Sequence, residues 1–498
     1  MKSIALVRSL WDARKTRATT DRAYLAYAVF FILLVIVVPV GRAVWLDITS
    51  APAVETLTAP IAPLVVGLLA VALWTTALIM GRKRGPALLP PFLTYALANS
   101  DLPRWAVYRR TLLRACGGLV TATTGFAALV SGSLLSRGLT SMTGMFIFTG
   151  AGFFIGFIAL VAWLAGQTYP RSAIYGALAL VTVGVVGLVI PGLQTLLPWG
   201  WAGLAYPTSG AAAGLVGLAT LAFVLIVAVP TMLERLKIDE LAAQSAIWTT
   251  ARSHAVTLEI NAVSSMYQTK PYCGRHIRAV RRVGLIMTIF LIRDVIGAIR
   301  TPGRFVAGVV ALACAGALMA FTMVPSAAAF LTPLGALGGL FLLIGLGPLT
   351  DGIRHAAHSA SDTSLYGISD GHLLASHAVM PLVISTLIVV PVAGTVAGVA
   401  GVSVLGAMLM TSGLILIILC TRVNDAFKGP LPLILLTPIP SPAGDPMTLV
   451  RLAWAMDSTL IAVLAGIAAA SVTHSPIFLV CMALIVTVIG IFRWRRRV

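Results

Sequence analysis

Long apolar runs recur along the whole chain, separated by shorter polar segments that carry most of its charge. Twelve runs approach the length of about 20 residues with which a helix crosses the hydrocarbon core of a bilayer. They are continuously apolar and lack the period-two alternation of barrel strands, so the pattern predicts membrane-spanning helices. The predicted spans are 24–45, 61–81, 112–134, 143–166, 172–193, 211–233, 304–324, 328–347, 378–398, 401–421, 454–473 and 475–493.

Composition narrows the class of protein further. The 498 residues are 59% hydrophobic and only 10% charged, whereas soluble domains are about a quarter charged. This excludes an ordinary soluble enzyme, a disordered protein and a nucleic-acid-binding domain. The first apolar run is too long for a cleavable signal peptide and is interpreted as a span. The sequence therefore predicts an all-α integral membrane protein of the cell (plasma) membrane, with the lipid bilayer and not nucleic acid as its surroundings.

The basic residues predict an orientation. If the N-terminus is cytoplasmic, 33 of the 35 Lys and Arg residues fall in cytoplasmic segments, and only Arg42 and Arg137 fall outside. Loops on the cytoplasmic side of membrane proteins are enriched in Lys and Arg. The asymmetry therefore predicts that both termini are cytoplasmic.

The layout also predicts an internal repeat. Residues 1–233 form a first six-helix half, 234–303 a cytoplasmic connector with an interfacial helix, and 304–498 a second six-helix half. Segments 86–115 and 348–376 each follow the second span of a half and precede the third. Because each half has an even number of spans, the two repeats are predicted to be parallel, related by an axis along the membrane normal.

Short apolar segments next to basic residues predict helices that lie in the interface. Leu285–Ile292 is too short to span and follows Arg281 and Arg282, which favours an interfacial elbow helix over a solvated linker helix. A similar elbow is predicted around Trp11, before the first span. The Pro-broken segment 429–453 is interpreted as interfacial or re-entrant.

Several kinds of chemistry have no motif in the chain. The dipeptide Gly-Lys does not occur, so there is no P-loop, and neither H-E-x-x-H nor G-x-S-x-G is present. All sixteen acids are predicted in loops except Asp457, expected to pair with Arg451 or a headgroup and alternatively to carry a coupling charge. The sequence thus predicts no catalytic residue, and it disfavours a secondary carrier. Four histidines are predicted on one cytoplasmic loop as a polar face, with a metal site the less favoured alternative: His355, His358, His372 and His377.

Three features together resemble the permease subunit of an ABC-2-type exporter, in the two-repeat form of actinobacterial-type proteins. The first is the polar segment Asn99, Ser100, Asp101, Leu102, Pro103 and Arg104, followed by Tyr108-Arg109-Arg110-Thr111-Leu112-Leu113. The second is the Trp-rich segment Leu197–Ala202, which contains Trp199 and Trp201. The third is the predicted elbow before each half.

The resemblance implies that short inner segments couple the permease to a separate ATPase. In the first half these are Asn99 to Arg104, with Ser100 and Asp101 predicted to cap the next helix. The second half places Ser361, Asp362, Thr363, Ser364, Leu365 and Tyr366 there, without the Pro or the Arg pair. It further implies two ATPase copies per permease, ATP and Mg bound only by that partner, and outward movement of a lipophilic, peptide or antibiotic-like substrate.

Alternatives stay open at this point. Residues 90–111 could be an ordinary basic inner loop, and Trp199 and Trp201 could belong to an outer aromatic belt and not to a gate. The chain could be an autonomous secondary carrier or lipid flippase without an ATPase. A membrane-embedded enzyme would have only Asp47 and Glu55 as outer acids.

Overall fold

The computed structural model describes residues 33–98, 100–190, 192–259, 285–360, 367–429, 431–437 and 447–496, with short pieces between 9 and 30, between 263 and 278, and at 445. Every regular element within this part of the chain is helical. The chain divides into two compact units, Met1–Ser253 and His254–Val498. The division falls inside the predicted connector 234–303.

Unit 1 contains eleven α-helices, preceded by a π-helical turn at Leu33–Val37, among its described residues. They are α1 (Val38–Ile48), α2 (Ala51–Thr58), α3 (Ala62–Lys83), α4 (Pro91–Ala98), α5 (Arg104–Ser136), α6 (Met142–Thr168), α7 (Ser172–Val189), α8 (Leu193–Leu196), α9 (Pro198–Leu204), α10 (Ala212–Glu234) and α11 (Ile238–Val256).

Unit 2 contains ten α-helices among its described residues, with short 3₁₀ turns at Pro325–Phe330, Gly347–Leu349 and Ser471–Thr473. They are α12 (Ile286–Ile299), α13 (Pro302–Phe321), α14 (Leu331–Leu346), α15 (Asp351–Ser359), α16 (Asp370–Val399), α17 (Val404–Ala426), α18 (Leu433–Leu436), α19 (Met447–Ala455), α20 (Asp457–Ala470) and α21 (Ile477–Arg495).

Nine of the described helices are long and apolar enough to cross a membrane, and a bent pair could supply a tenth. The nine are α3, α5, α6, α10, α13, α14 with the turn after it, α16, α17 and α21. The bent pair is α19 with Asp457–Thr473, at an angle of 73°. These elements coincide with ten of the twelve predicted spans, so the described helices confirm the all-helical, multi-pass character of the chain.

The other two predicted spans do not coincide with any of the nine long helices. Most of 24–32 in the first span lies outside the described residues, and α1 continues from Val38 to Ile48. The fifth, 172–193, is the apolar helix α7, which has 18 residues, ends at Val189 and is shorter than the nine long helices. After Ile190 the chain turns through Gly192, whose φ of +88° favours glycine.

In unit 1 the central helix is α6, which packs against α3, α5 and α10. Small residues allow the close approach to α3. A Cβ atom on Gly81 would lie 2.2 Å from the Trp163 carbonyl oxygen, and one on Gly166 would lie 2.0 Å from that of Leu78. Such glycines let helix backbones touch in a membrane, where burial of apolar surface contributes little to helix association.

In unit 2, α17 packs against α14, α16, α20 and α21, and α14 packs closely against α20. Glycines again form the tightest contact. A Cβ on Gly466 of α20 would lie 2.0 Å from the Gly335 carbonyl oxygen, and one on Gly339 would lie 2.0 Å from that of Ala462. These glycines therefore set the spacing between the two helices.

The connector and the 429–453 segment are described in part. Helix α12, Ile286–Ile299, occupies the predicted elbow, whereas the earlier elbow around Trp11 lies outside the described residues. In 429–453 the described elements are the single turn α18 and the helix α19, which bends into α20. Residues 430, 438–444 and 446 lie outside the described part.

Candidate functional site

The first candidate site is the segment between α3 and α5, residues 84–104, called here the first connecting segment. Its helix α4 turns Leu93 and Leu97 inward, where they join Tyr108 of α5, Leu164 of α6 and Leu241 of α11 in one buried cluster. The opposite face of α4 is exposed and aromatic, with Tyr95 72% exposed. The segment is therefore fixed to the ends of several helices and still presents a surface.

Buried amides hold the start of this segment. The Gln167 side chain accepts a hydrogen bond from the Ala87 N–H (3.1 Å) and donates to the Ala87 carbonyl (3.2 Å) and to Oε1 of Gln244 (3.1 Å). Oε1 of Gln244 also accepts from the Gly85 N–H at 3.2 Å. A Cβ on Gly85 would lie 1.8 Å from the Gln167 amide carbon, so a larger residue there would displace the Gln167 side chain. The network satisfies backbone groups that burial would otherwise leave unpaired.

Helix α11 contributes further contacts to the same segment. The hydroxyl of Ser245 donates to the Leu89 carbonyl at 2.5 Å, and the guanidinium of Arg84 lies 3.4 Å from the ring centroid of Trp248. From α6, the Trp163 indole N–H donates to the Arg84 carbonyl at 2.6 Å. Helix α11, expected only as part of a connector, therefore belongs to the support of the first connecting segment.

The predicted cap of α5 is wrong. Pro103 precedes the helix without a side-chain cap, and the hydroxyl of Ser100 donates back to the Leu97 carbonyl at 2.7 Å. Instead Glu234, the last residue of α10, accepts from the Trp105 N–H at 3.4 Å, and its carbonyl accepts from Arg104 at 3.1 Å. A carboxylate at a helix N-terminus accepts from a free N–H and interacts favourably with the helix dipole. The contact therefore joins the end of α10 to the start of α5.

The predicted coupling residues of this half are mostly exposed. Asp101 and Pro103 are exposed, and Ser100, Leu102 and Arg104 are half-buried. Asn99 lies outside the described residues.

The second candidate site is residues 347–369 in unit 2, called here the second connecting segment. Its helix α15 buries Ile353 and Ala356 in a cluster with Leu373 and Leu374 of α16 and Leu419 of α17. Residues 361–366, which include every predicted coupling residue of this half from Ser361 to Tyr366, lie outside the described part. The site is therefore defined by α15.

Charged side chains fasten α15 to its unit. Arg304 of α13 pairs with Asp351 at the start of α15 and donates to the Gly347 carbonyl at 3.2 Å. Arg354 lies 4.0 Å from the carboxylate of Asp425 on α17. His355 lies on the exposed face of α15. Partial desolvation of its ring, with the positive charge of Arg293 as the next cause, lowers the pKa of the imidazole.

A histidine–aspartate pair lies beneath α15. Nδ1 of His377 on α16 is 2.6 Å from Oδ2 of Asp294 on α12, and their side chains are 1% and 7% exposed. The His377 ring packs on Phe290 with centroids 4.7 Å apart, and its Nε2 has no hydrogen-bond partner among the described residues. A Cβ on Gly352 of α15 would lie 2.4 Å from Nδ1 of His377. The prediction that all four histidines form a polar loop face is wrong for His377.

A second charged cluster joins α20, α21 and Lys428, which follows α17. Asp457 pairs with Lys428 (Nζ to Oδ1, 2.7 Å) and with Arg493. The predicted partner Arg451 pairs instead with Asp445 at 2.8 Å. The prediction that the other acids lie in loops is also wrong, since Asp294 and Asp425 lie within helices and are buried or nearly so. Within the described residues, no group of three or more His, Cys, Asp or Glu side chains could hold a metal ion.

The Trp-rich segment forms the short helix α9, which packs on α3 and α10. Trp199 is 3% exposed and Trp201 is half-buried, with its indole N–H donating to the Thr195 carbonyl at 3.0 Å. Nearby Tyr206 is buried, and its hydroxyl donates to the Leu57 carbonyl at 2.8 Å. Trp199 thus packs inside unit 1, whereas a lipid-facing belt would expose it.

The sequence indicated where the connecting segments lie, but not which residues hold them in place. The amides Gln167 and Gln244 are single polar residues in helical surroundings, and no spacing rule pairs positions so far apart. A polar residue at the boundary of a predicted span, such as Gln167 directly after the fourth, is a usable signal because membrane helices rarely carry an amide without a partner.

A scan of the chain against protein-family models finds no match, and neither does a search against curated protein sequences. The class of the protein therefore follows from its fold. With nine or ten described helices long and apolar enough to cross a bilayer, the chain has the architecture of a multi-pass α-helical membrane protein.

Proposed function

We propose that the chain is the permease subunit of an ATP-driven (ABC) exporter, made of two parallel six-helix repeats with both termini in the cytoplasm. Its connecting segments receive the motion of a separate ATPase dimer, which alone binds ATP and Mg. The substrate moved outward is lipophilic, peptide or antibiotic-like. The permease itself performs no catalysis.

The observation that carries the proposal is the equivalent placement of the connecting segments. Helix α4 packs where α5 begins and where α6 and α10 end. In unit 2, α15 packs where α16 begins and where α17 and α21 end. Each segment follows the helix at the second predicted span of its half, α3 in unit 1 and α14 in unit 2, which supports a repeated architecture.

The attachment of the segments suits transmission of motion. A short element can move a pair of long helices as a body only when it is fixed to them and still accessible. The first connecting segment has buried amides and a cluster of leucines on one side and exposed Tyr95 and Asp101 on the other. The second has ion pairs to α13 and α17 and an exposed His355.

The test is co-expression of the full chain with ATPase subunits encoded in neighbouring reading frames, followed by co-purification. Asp101→Arg, on the exposed first segment, is expected to weaken ATPase retention at least tenfold. Glu55→Arg makes the same charge change at an exposed acid of α2, predicted to lie in an outer loop, and should leave retention unchanged. If no P-loop ATPase is retained by the unaltered chain, the proposal fails.

An autonomous carrier is the second candidate. The sequence disfavoured it because nearly all acids were predicted in loops, whereas the buried His377–Asp294 pair supports it. Ionisable pairs inside helical membrane proteins can bind protons in a transport cycle. Reconstituted vesicles without ATP, under an imposed pH gradient, distinguish the two. Transport there that His377→Gln abolishes would support the carrier, whereas transport only with ATPase and ATP would support the exporter.

A further inference from the structure

The first three turns of α5 present an exposed basic face. Arg109, Arg110 and Arg114 are exposed, together with Trp105 (44% exposed) and Leu113 (60% exposed). Trp105, Arg109 and Leu113 recur every four residues and form one row, and Arg110 and Arg114 form a neighbouring row, so the five side chains cover about half of the helix circumference. The sequence resemblance drew attention to the Arg pair, but the proposed function assigns it no role.

These arginines differ from most basic residues of unit 1 in having no protein partner. Arg104 donates to the Glu234 backbone carbonyl, Arg235 donates to the Tyr169 hydroxyl at 2.8 Å, and Arg84 packs on Trp248. Within the described residues, no ion pair or hydrogen bond holds the guanidinium of Arg109, Arg110 or Arg114. Their charge is therefore available to an external anion.

The length of α5 places them at a membrane surface. Its 33 residues span about 50 Å at 1.5 Å per residue, whereas the hydrocarbon core is about 30 Å thick. Counted from the far end at Ser136, the hydrocarbon ends near Arg114. Arg109 and Arg110 then lie roughly 6–8 Å further along the axis, which is the depth of the headgroup layer.

Phosphate is the anion that this layer supplies. An arginine guanidinium binds phosphate oxygens through two parallel N–H donors, and basic residues next to a span attract anionic lipids. The exposed Leu113 and Trp105 suit an apolar layer beside charged heads. Of the nearest acids, Glu234 accepts from the Trp105 N–H through its carboxylate and Asp101 precedes the helix, and among the described residues neither forms an ion pair with the three arginines.

We propose that Arg109, Arg110 and Arg114 form a binding site for the phosphate groups of anionic phospholipids on the first turns of α5. The site is independent of the proposed transport function. It requires only that α5 crosses a membrane with this end in the headgroup layer.

The experiment measures binding of fluorescent phosphatidylglycerol and phosphatidylcholine to the full-length chain in mixed detergent micelles. The variant R109Q/R110Q/R114Q is expected to weaken phosphatidylglycerol binding by roughly a hundredfold, at about fivefold per arginine. The control R82Q/R171Q/R252Q removes the same charge from exposed arginines elsewhere in unit 1 and should change binding less than about threefold. Phosphatidylcholine, which has a phosphate but no net charge, should bind weakly to all three proteins.

Several results would overturn the site: equal loss in the control variant, equal binding of the two lipids, or unchanged phosphatidylglycerol binding in the first variant. Retained lipid together with loss of a co-purifying protein would assign the face to an acidic protein partner instead. If the glutamine variant does not fold, R109K/R110K/R114K and a salt titration decide. The lysine variant should keep binding within about tenfold, and raised salt should release phosphatidylglycerol; binding that salt leaves unchanged contradicts the site.

Discussion

Nδ1 of His377 lies 2.6 Å from Oδ2 of Asp294, and the hydrogen bond joins two helices that are 83 residues apart at this point in the chain. Both side chains are buried, and Gly352 of α15 lies directly against them. Three elements of unit 2, the elbow α12, the second connecting segment and the long helix α16, therefore meet at one polar contact.

Removal of one member of this pair should destabilise unit 2 more than removal of both. Asp294→Leu or His377→Leu leaves a buried polar or charged group without its partner, at a cost of about 3–5 kcal/mol. The double variant leaves neither, so a double-mutant cycle should give a coupling free energy above about 1 kcal/mol. Unfolding of the detergent-solubilised chain in SDS measures it.

The control cycle uses the exposed pair Lys237 and Glu240, whose charged atoms are 3.8 Å apart. Its coupling should lie between about 0 and 0.5 kcal/mol. Equal coupling in the two cycles would mean that the buried pair has no special structural role.

Gly352→Ala is expected to loosen the second connecting segment. The new methyl group would lie 2.4 Å from Nδ1 of His377 and 2.6 Å from the Asp294 carboxylate, so α15 must move or the pair must separate. We expect a loss of about 1–3 kcal/mol in SDS unfolding. Gly297→Ala in α12 meets no atom within 4 Å and should instead stabilise by about 0.5–1 kcal/mol. The same sign for both substitutions would contradict the prediction.

Gly466→Ala should disrupt the contact between α14 and α20. Its Cβ would lie 2.0 Å from a backbone oxygen of Gly335, which cannot rotate away as a side chain can. The two helices must separate, and we expect a lower midpoint of thermal unfolding with a loss of about 2 kcal/mol or more. Gly125→Ala on α5 has open space around it and should leave the midpoint unchanged or raise it. An unaltered midpoint for Gly466→Ala would show that α14 and α20 are not in contact.

Gln167→Leu should release the start of the first connecting segment. The Ala87 N–H and carbonyl each lose their partner, at about 1–3 kcal/mol per buried unsatisfied group. Hydrogen exchange of the Ala87 amide should accelerate by at least tenfold. Gln194→Leu, which removes a single bond to the Gly187 carbonyl, should leave that amide unchanged. Unaltered exchange at Ala87 in the Gln167 variant would exclude the network as the anchor of the segment.

The span positions were predictable because apolar run length reports a local property. Ten predicted spans coincide with described helices, or with the bent pair, to within a few residues at most boundaries. Helices α5 and α16 are exceptions, since each begins eight residues before its predicted span. Helix α16 begins at Asp370 because Ser369 caps it by accepting from the His372 N–H at 3.4 Å. A polar first turn has low hydropathy, so a search for apolar runs does not detect it.

The roles of single polar residues were not predictable in the same way. Asp457 was expected beside Arg451, six positions away in sequence, but its partners Lys428 and Arg493 lie 29 and 36 positions away. Ser100 and Asp101 had the right residue types for a cap, yet Glu234 from the end of α10 takes that place. Proximity in sequence did not identify the partner of a polar residue where a helix distant in sequence packs beside it.

The sequence alone determined that this is an all-helical chain of apolar spans. It also determined where most of the spans lie and which segments connect them, because hydropathy and charge patterns are set by residues that are close in sequence. Only the tertiary structure decided which polar residues are buried and paired, which glycines set helix spacing, and that α11 supports the first connecting segment. Those outcomes depend on contacts between distant helices, and a buried amide or carboxylate is stabilised by whichever partner the packing brings within reach.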